Sequence, residues 1–310
     1  MKNKKNFIIS YLIIFFFFNI AFSSEEINYS SNTIKVIENG KIISGEGDVQ
    51  ILIGENIFIS SEKFEYNRKT GLYKIFDNVQ FKDKINNIKA SGTEFILSTF
   101  DNKILSKTKS KIIYDETYDI DLDNFEYDIN DQKISSNNFV KIKDNINNYF
   151  ELYEFLFDLK TNKFLGKEIK FIDNQQNKYF LNEVMVNTDN DKLYGKEVKF
   201  LDNQQNKYLL NEVMINTNND NLYGKDLNIE FNKSLFGNSD NEPRLKAKSV
   251  KIKDQSSFLK KGIFTSCSKD NDCPPWSIYA EEIEHDKIDQ TIKYKNAWLK
   301  IYDRPVVYFP

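Results

Sequence analysis

GKEIKFIDNQQNKYFLNEVMVNTDNDKLY occupies positions 166–194, and GKEVKFLDNQQNKYLLNEVMINTNNDNLY follows it without a gap at 195–223. The two copies agree at 23 of 29 positions, and four of the six differences exchange one apolar residue for another. A fixed period of this length marks a stacked-repeat architecture, because so small a unit cannot bury an apolar face alone and its neighbours must do so.

Each unit divides into two extended runs and two turns. Lys192–Leu201 is one run and Asp202–Asn206 a turn; Lys207–Asn216 is the second run and Thr217–Asp220 the second turn. The turns are rich in Asn and Asp, which tolerate left-handed backbone and bond their own chain. Strict alternation puts Tyr194, Val198 and Phe200 on one face, with Glu197 and Lys199 opposite. It likewise separates Leu209, Val213 and Ile215 from Tyr208, Leu210 and Met214. The predicted product is all-β: an elongated stack of antiparallel rungs with one apolar interior and a period of 29–30 residues. The alternative is a plain antiparallel sheet lengthened by duplication.

A looser form of the period runs through the rest of the chain. Gly47-Asp48-Val49-Gln50-Ile51 is echoed by Asp77-Asn78-Val79-Gln80-Phe81, and Ile57–Phe64 by Ile88–Phe95. Tyr127-Asp128-Ile129 recurs as Phe157-Asp158-Leu159, and Lys141–Gly166 aligns without gaps on Lys170–Gly195. Roughly six to seven rungs are expected between 34 and 235. Asn238–Pro243 is a polar break, after which strands should resume at Leu245–Ile252 and Gly262–Phe264.

The first residues have another character. Lys2, Lys4 and Lys5 precede the apolar stretch Phe7–Phe22, and Ala21-Phe22-Ser23 is a small-x-small site before Ser24-Glu25-Glu26. This pattern predicts a signal peptide over 1–23, with an uncleaved anchor as the alternative, and places the remainder outside the cytoplasm. The net charge of −3 and pI near 5.6 give no basic footprint for nucleic acid. With 26 Phe and 17 Tyr but only 5 Pro and 11 Gly, the composition suits long strands.

Little points to catalysis. His285 is the single histidine, and on a strand its neighbours Glu282, Glu284 and Asp286 do not converge with it on one face. It is expected to be structural, as are Trp276 and Trp298. No nucleophile–base pair or phosphate-cradling glycine loop stands out, so no enzyme activity, cofactor or metal is expected. Two cysteines, Cys267 and Cys273, in an exported chain favour disulfide use. A local Cys267–Cys273 bridge is one reading.

The thirty-residue pattern of Gly-Asp-Val and Ile-x-Ala/Ser motifs resembles the OstA-like domain shared by the lipopolysaccharide-transport proteins LptA, LptC and LptD. The C-terminal series is more specific: Gly262–Cys267, Cys273–Ile278, Glu282–Asp286, Tyr294–Leu299 and Pro305–Pro310. In this order they look like the stretch where LptD-type proteins pass from a periplasmic domain into a β-barrel. The resemblance implies a β-taco or jelly-roll over 24–242, and last rungs with a connector to a barrel over 243–310. It implies that the chain is a fragment, a split product or a truncated paralogue, and that Cys267 and perhaps Cys273 would pair with barrel cysteines. Unlike many such proteins, it has no cysteine in 24–40.

The implied function is lipopolysaccharide transport at the outer membrane, with acyl chains sliding along an apolar groove. Candidate groove residues are Ile169, Phe171, Val184, Val186, Val198, Phe200, Val213 and Ile215. An LptA-type bridge protein would add to the N-terminal edge at Ile34, Val36, Val49 and Ile51, while the barrel and an LptE-type lipoprotein would meet the other end. A complete, soluble LptA-like bridge and a structural β-solenoid without lipid are the competing readings.

Overall fold

The computed structural model describes residues 26–174, 176–190, 192–202, 204–216, 219, 221–233, 241–253, 256–269, 274–286, 288–289 and 291–310. The expected signal peptide lies outside them. The first strands are β1 (Ile27–Ser30), β2 (Thr33–Ile37), β3 (Ile42–Ile53), β4 (Ile57–Asn67), β5 (Leu72–Asp83) and β6 (Ile88–Ser98). Six short strands follow: β7 (Lys103–Ser106), β8 (Ser110–Tyr114), β9 (Tyr118–Leu122), β10 (Phe125–Asp128), β11 (Lys133–Ser136) and β12 (Val140–Asp144). Long strands then resume with β13 (Tyr149–Asp158), β14 (Lys163–Ile172), β15 (Lys178–Asn187), β16 (Lys192–Leu201), β17 (Lys207–Asn216) and β18 (Asn221–Glu230). The last are β19 (Arg244–Lys253), β20 (Ser256–Thr265), β21 (Trp276–Asp286), β22 (Thr291–Ile301) and β23 (Arg304–Phe309).

Every pairing is antiparallel, and strand order largely follows chain order. Most long strands take part in two sheets, bending at mid-strand to pass from one to the other. At the bend two successive side chains point outward, as at Lys167-Glu168, Lys196-Glu197 and Lys225-Asp226. Glu168, Glu197 and Asp226 take positive φ there, near 50°. In β18 this cost is offset from the neighbouring strand, since Asn211 Nδ2 donates to Asp226 Oδ2 at 3.0 Å. Asn182 Nδ2 does the same for Glu197 at 3.2 Å. Two outward residues in succession kink the strand and shift its alternation by one, and because neighbouring strands bend at the same level the pairing of β14 to β18 stays in register.

Sheet I holds β1, β8, β9, β12, β23 and one half of each long strand from β3 to β22. Sheet II holds β2, β7, β10, β11 and the other halves. In the middle of the molecule the bend opens into a full break, giving pairs of short strands: β7 with β8, β9 with β10, β11 with β12. Counting such a pair as one crossing, the chain crosses thirteen times between Ile42 and Glu230, ten of them in unbroken strands. The ladder continues through the polar break, because β18 pairs with β19 in register from Leu222↔Ile252 to Glu230↔Arg244.

The two sheets face each other. The Tyr29 ring of sheet I lies 5.3 Å from Phe64 of sheet II, and Tyr114 lies 4.7 Å from Phe157. Val49, Phe64, Ile75, Val79, Phe95 and Ile104 are fully buried between them. On the side away from the bends, polar bonds tie the sheets together. Tyr127 Oη of β10 donates to Asp83 Oδ2 of β5 at 2.6 Å, and Tyr114 Oη donates to Asn162 Oδ1 at 2.9 Å. Asp83 also accepts from Asn86 Nδ2 and from the amides of Ile85 and Asn86, so its buried carboxylate is well satisfied. Burial, and then Asp83, hold the Tyr127 hydroxyl protonated well above the usual tyrosine range. Tyr127→Phe should therefore lower stability by about 1–3 kcal/mol, because a buried charged acceptor loses its donor. Urea denaturation checks this; an unchanged midpoint would show that the tie is dispensable.

Candidate functional site

The interior face is built as rows of side chains that stand opposite one another from strand to strand. In sheet I one row runs Tyr29–Ile51–Ile59–Phe81–Ala90–Ile112 and onward through β22 to Val307, each member the register partner of the next. Within the repeats this row becomes a stack of rings. Centroids are 4.5 Å apart for Phe150–Phe171, 5.1 Å for Phe171–Tyr179, 4.6 Å for Tyr179–Phe200 and 4.9 Å for Phe200–Tyr208. In sheet II the matching row passes through Phe164, Val186, Leu193, Ile215 and Leu222.

All eight candidate groove residues face this interior. Ile169, Phe171, Val184, Val186, Val198, Val213 and Ile215 are buried in one continuous core, and Phe200 is half-buried within the ring stack. They are packed against their neighbours, so a guest molecule would have to part the sheets. Alternation alone misassigns four other residues. Tyr194 points outward, away from Val198 and Phe200, while Tyr208 and Leu210 point inward and Leu209 outward. The left-handed Glu197 in β16, and the outward pair Asn211-Glu212 in β17, shift the phase. Leu181, Leu193, Leu210 and Tyr179 therefore belong to the interior as well.

Three glycines leave room for the leucines. A Cβ on Gly166 would lie 2.3 Å from Leu152 Cδ1, one on Gly195 2.3 Å from Leu181 Cδ2, and one on Gly224 2.1 Å from Leu210 Cδ2. The turns repeat just as closely. Asp173 Oδ1 accepts from the Asn177 amide at 2.8 Å and its Oδ2 from Asn177 Nδ2 at 2.9 Å; Asp202 with Asn206 and Asp144 with Asn148 show the same pair. Tyr179 and Tyr208 then donate to Asp173 and Asp202 at 3.0 and 2.9 Å.

The outer face at the bend carries a row of alternating charge, Lys167–Glu183–Lys196–Glu212–Lys225. Lys196 binds Glu183 at 2.9 Å and Lys225 binds Glu212 at 2.6 Å. Hydrogen bonds from Lys196 and Lys225 hold Glu183 and Glu212 below the ordinary value of 4.5, and the same bonds raise both lysines above 10.5. The carboxylates thus contribute fully above pH 4.5 and lose that contribution as pH falls through their lowered values. The lysines contribute fully below pH 10.5 and lose it as pH rises through their raised values. The contribution of this row should be flat between these limits. The acid slope should shrink in 1 M salt or in a Lys196→Met/Lys225→Met double variant. An identical acid slope in the double variant would show that the row contributes nothing.

The ends of the stack differ from the sequence expectation. Ile34 and Val36 lie on the exposed edge strand β2, 49% and 63% exposed, although register puts them on the inner face. Val49 and Ile51 do not form an edge. They lie in β3, one strand further in, and both are buried; β1 covers Ile51 through its pairing with Tyr29. Cys267 is a half-buried free thiol with Sγ 3.8 Å from the Trp276 carbonyl, and Cys273 lies outside the described residues. His285 stands half-buried on the inner row between Ser257 and Ile292. Among the described residues no group of His, Cys, Asp and Glu side chains could hold a metal, and no helix is long and apolar enough to cross a membrane.

No family model matches the chain. Among solved structures, LptH of Pseudomonas aeruginosa, described as the LptA-homologous periplasmic component of its lipopolysaccharide transport device, covers 36% of this chain and 80% of its own. At 12% identity and a TM-score of 0.32, that likeness carries no argument. Curated relatives match more closely over a shorter stretch. LPS-assembly protein LptD of Yersinia pestis bv. Antiqua (strain Antiqua) and that of Yersinia pseudotuberculosis serotype I (strain IP32953) are each 40% identical over 63 residues. That is 20% of this chain and 8% of the length of those relatives. Over this fifth of its length, an all-β chain of stacked antiparallel strands is similar to LPS-assembly protein LptD.

Proposed function

We propose that the chain is a lipopolysaccharide-transport module of LptD type, exported by a signal peptide over 1–23 and working on the periplasmic side of the outer membrane. Residues 24–242 form the track and 243–310 its last rungs and the connector to a barrel. Acyl chains lie between the two sheets, passing from an LptA-type bridge protein at the edge strand β2 toward the barrel and an LptE-type lipoprotein. The module performs no chemistry on the lipid.

The observation that carries this reading is the pair of inner rows. They run in register along the whole stack and surface at both ends, at Ile34 and Val36 on β2 and at Val307 and Phe309 on β23. Each acyl methylene moved from water onto such a surface gains about 0.8 kcal/mol. Because each repeat presents the same side chains, the gain changes little from rung to rung, so a lipid can move without falling into one deep site. The packed interior makes parting of the sheets a necessary step, on the side where Tyr127–Asp83 and Tyr114–Asn162 join them. The 63-residue similarity to LptD supports the choice of lipid.

Photo-reactive residues at Phe171, Val186, Phe200 and Ile215 are expected to crosslink to lipopolysaccharide, while outward positions such as Lys199 and Leu209 are not. Crosslinks from the outward positions alone would sink the proposal.

A further inference from the structure

The outward column of sheet II changes character within the repeats. It begins Lys35–Ser44–Glu65–Lys74, as a solvated face should. From β13 to β18 it reads Leu156–Leu165–Met185–Tyr194–Met214–Tyr223, each the register partner of the next. Ser135 precedes this run and Lys251 follows it, with Nζ 5.5 Å from the centre of the Tyr223 ring. Leu165, Tyr194 and Tyr223 are 42%, 37% and 41% exposed. Six apolar side chains in line extend over roughly 24 Å at about 4.8 Å per strand. An exposed apolar patch with polar borders marks an interaction surface.

Two polar rows flank the stripe. On the bend side is the alternating row from Lys167 to Lys225, and on the other side lies Lys163–Asn187–Lys192–Asn216–Asn221. These rows decide how a second copy can lie face to face on the stripe. A two-fold axis along the stacking direction lays each strand on its own equivalent, which sets Lys163 against Lys167 and Lys192 against Lys196. A two-fold axis running along the centre of β16 sets Lys196 on Lys196 and Glu183 on Glu212. A two-fold axis parallel to the strands but between β15 and β16 does neither. It lays β15 on β16 of the second copy and β14 on β17. Lys196 then meets Glu183 and Lys167 meets Glu212, while Lys192 meets Asn187, Lys163 meets Asn216 and Lys225 meets the uncharged Tyr153. The midpoint of the apolar run, between Met185 and Tyr194, falls on this same axis.

We propose that the stripe is the interface of a symmetric dimer of this chain, in which two outer faces of sheet II pack together about a two-fold axis between β15 and β16. An isologous contact has to be self-complementary. Here the apolar run is centred on the axis and the alternating charges change sign across it. The stripe supplies the buried centre and the two flanking rows supply the polar rim. The surface leaves the space between the two sheets untouched, so it does not depend on the lipid reading.

Sedimentation velocity of the chain purified after export is expected to show a concentration-dependent monomer–dimer equilibrium that Tyr194→Asp abolishes. Glu183→Lys and Lys196→Glu should each weaken the dimer about tenfold, because each sets like charges together at two symmetric places. An equimolar mixture of these two variants should recover the dimer, since every contact between positions 183 and 196 across the axis is then lysine with glutamate. Should a variant not fold, carbodiimide crosslinking of the unaltered protein decides: a mixture of isotopically light and heavy chains should yield Lys196–Glu183 crosslinks that join a light chain to a heavy one. A chain that stays monomeric, a dimer that Tyr194→Asp leaves intact, a mixture no more dimeric than its two components, or light-to-heavy crosslinks confined to strands outside β13 to β18 would each overturn the proposal.

Discussion

Gly195→Val is expected to destabilise the protein by an amount near the top of the range of about 1–3 kcal/mol typical of overpacked cores. Even a Cβ at this position would lie 2.3 Å from Leu181 Cδ2 and 3.2 Å from both Val198 Cγ2 and Val213 Cγ1. Leu181 is buried against the same neighbours, so it has no free rotamer into which to retreat. The contact recurs at Gly166 with Leu152 and at Gly224 with Leu210, so the interior is filled by a leucine reaching over a glycine once in each unit. Leu181→Ala alone should cost about 2–5 kcal/mol for the cavity it leaves. Combined, the two changes should cost less than their sum by more than about 1 kcal/mol, since the valine fills what the leucine vacates. Chemical denaturation of the four proteins measures the cycle. A Gly195→Val protein as stable as its parent would mean that the two sheets yield easily at this rung, which would favour a roomy track.

Excising Gly166–Tyr194 should shorten the molecule and leave it folded. The cut joins Lys163-Phe164-Leu165 to Gly195, giving KFLGKEVKFL, which differs from β14 only by apolar exchanges. Leu152 would then cover Gly195 as it now covers Gly166, and the charge row, the Asp–Asn turns and the ring stack would all close up in phase. Two strands at about 4.8 Å each remove roughly 10 Å of length, a change small-angle scattering can detect. Stability should fall only by the loss of nearest-neighbour contacts. An excision one residue shorter, Gly166–Leu193, exchanges inner and outer faces in the strand it joins and should abolish cooperative folding. Equal behaviour of the two deletions would show that the strict repeat is not what holds the stack in register.

The sequence placed the runs Lys192–Leu201 and Lys207–Asn216 where β16 and β17 lie, because the Asp-Asn turns between them are chemically unambiguous. The groove candidates also fell on the inner face. What alternation could not supply was the bend. Counting by twos through Glu197 put Tyr194 inside, and counting through Asn211-Glu212 put Tyr208 and Leu210 outside. Two adjacent polar residues in the middle of an alternating run, as in Gly-Lys-Glu-Val and Leu-Asn-Glu-Val, are the trace of such a bend. The edge was harder to find. Nothing in Ile27–Ser30 distinguishes it from a linker, and its pairing with β3 puts a strand outside Ile51. The ties Tyr127–Asp83 and Tyr114–Asn162 join residues more than forty positions apart, and such long-range partners leave no periodic pattern.

Because neighbouring strands in the stack are, with few exceptions, neighbours in the chain, the backbone hydrogen bonds of each sheet point along the direction in which the strands are stacked. A load applied between the two ends therefore acts on one pair of strands after another, in the geometry of a zipper and not of a shear clamp. Such a rod gives way at low force, in equal steps, and each released hairpin adds length before the next begins to open. Each step is also reversible, since a freed strand has its own partner waiting beside it. The same order that makes the fold extendable makes it mechanically compliant along its axis.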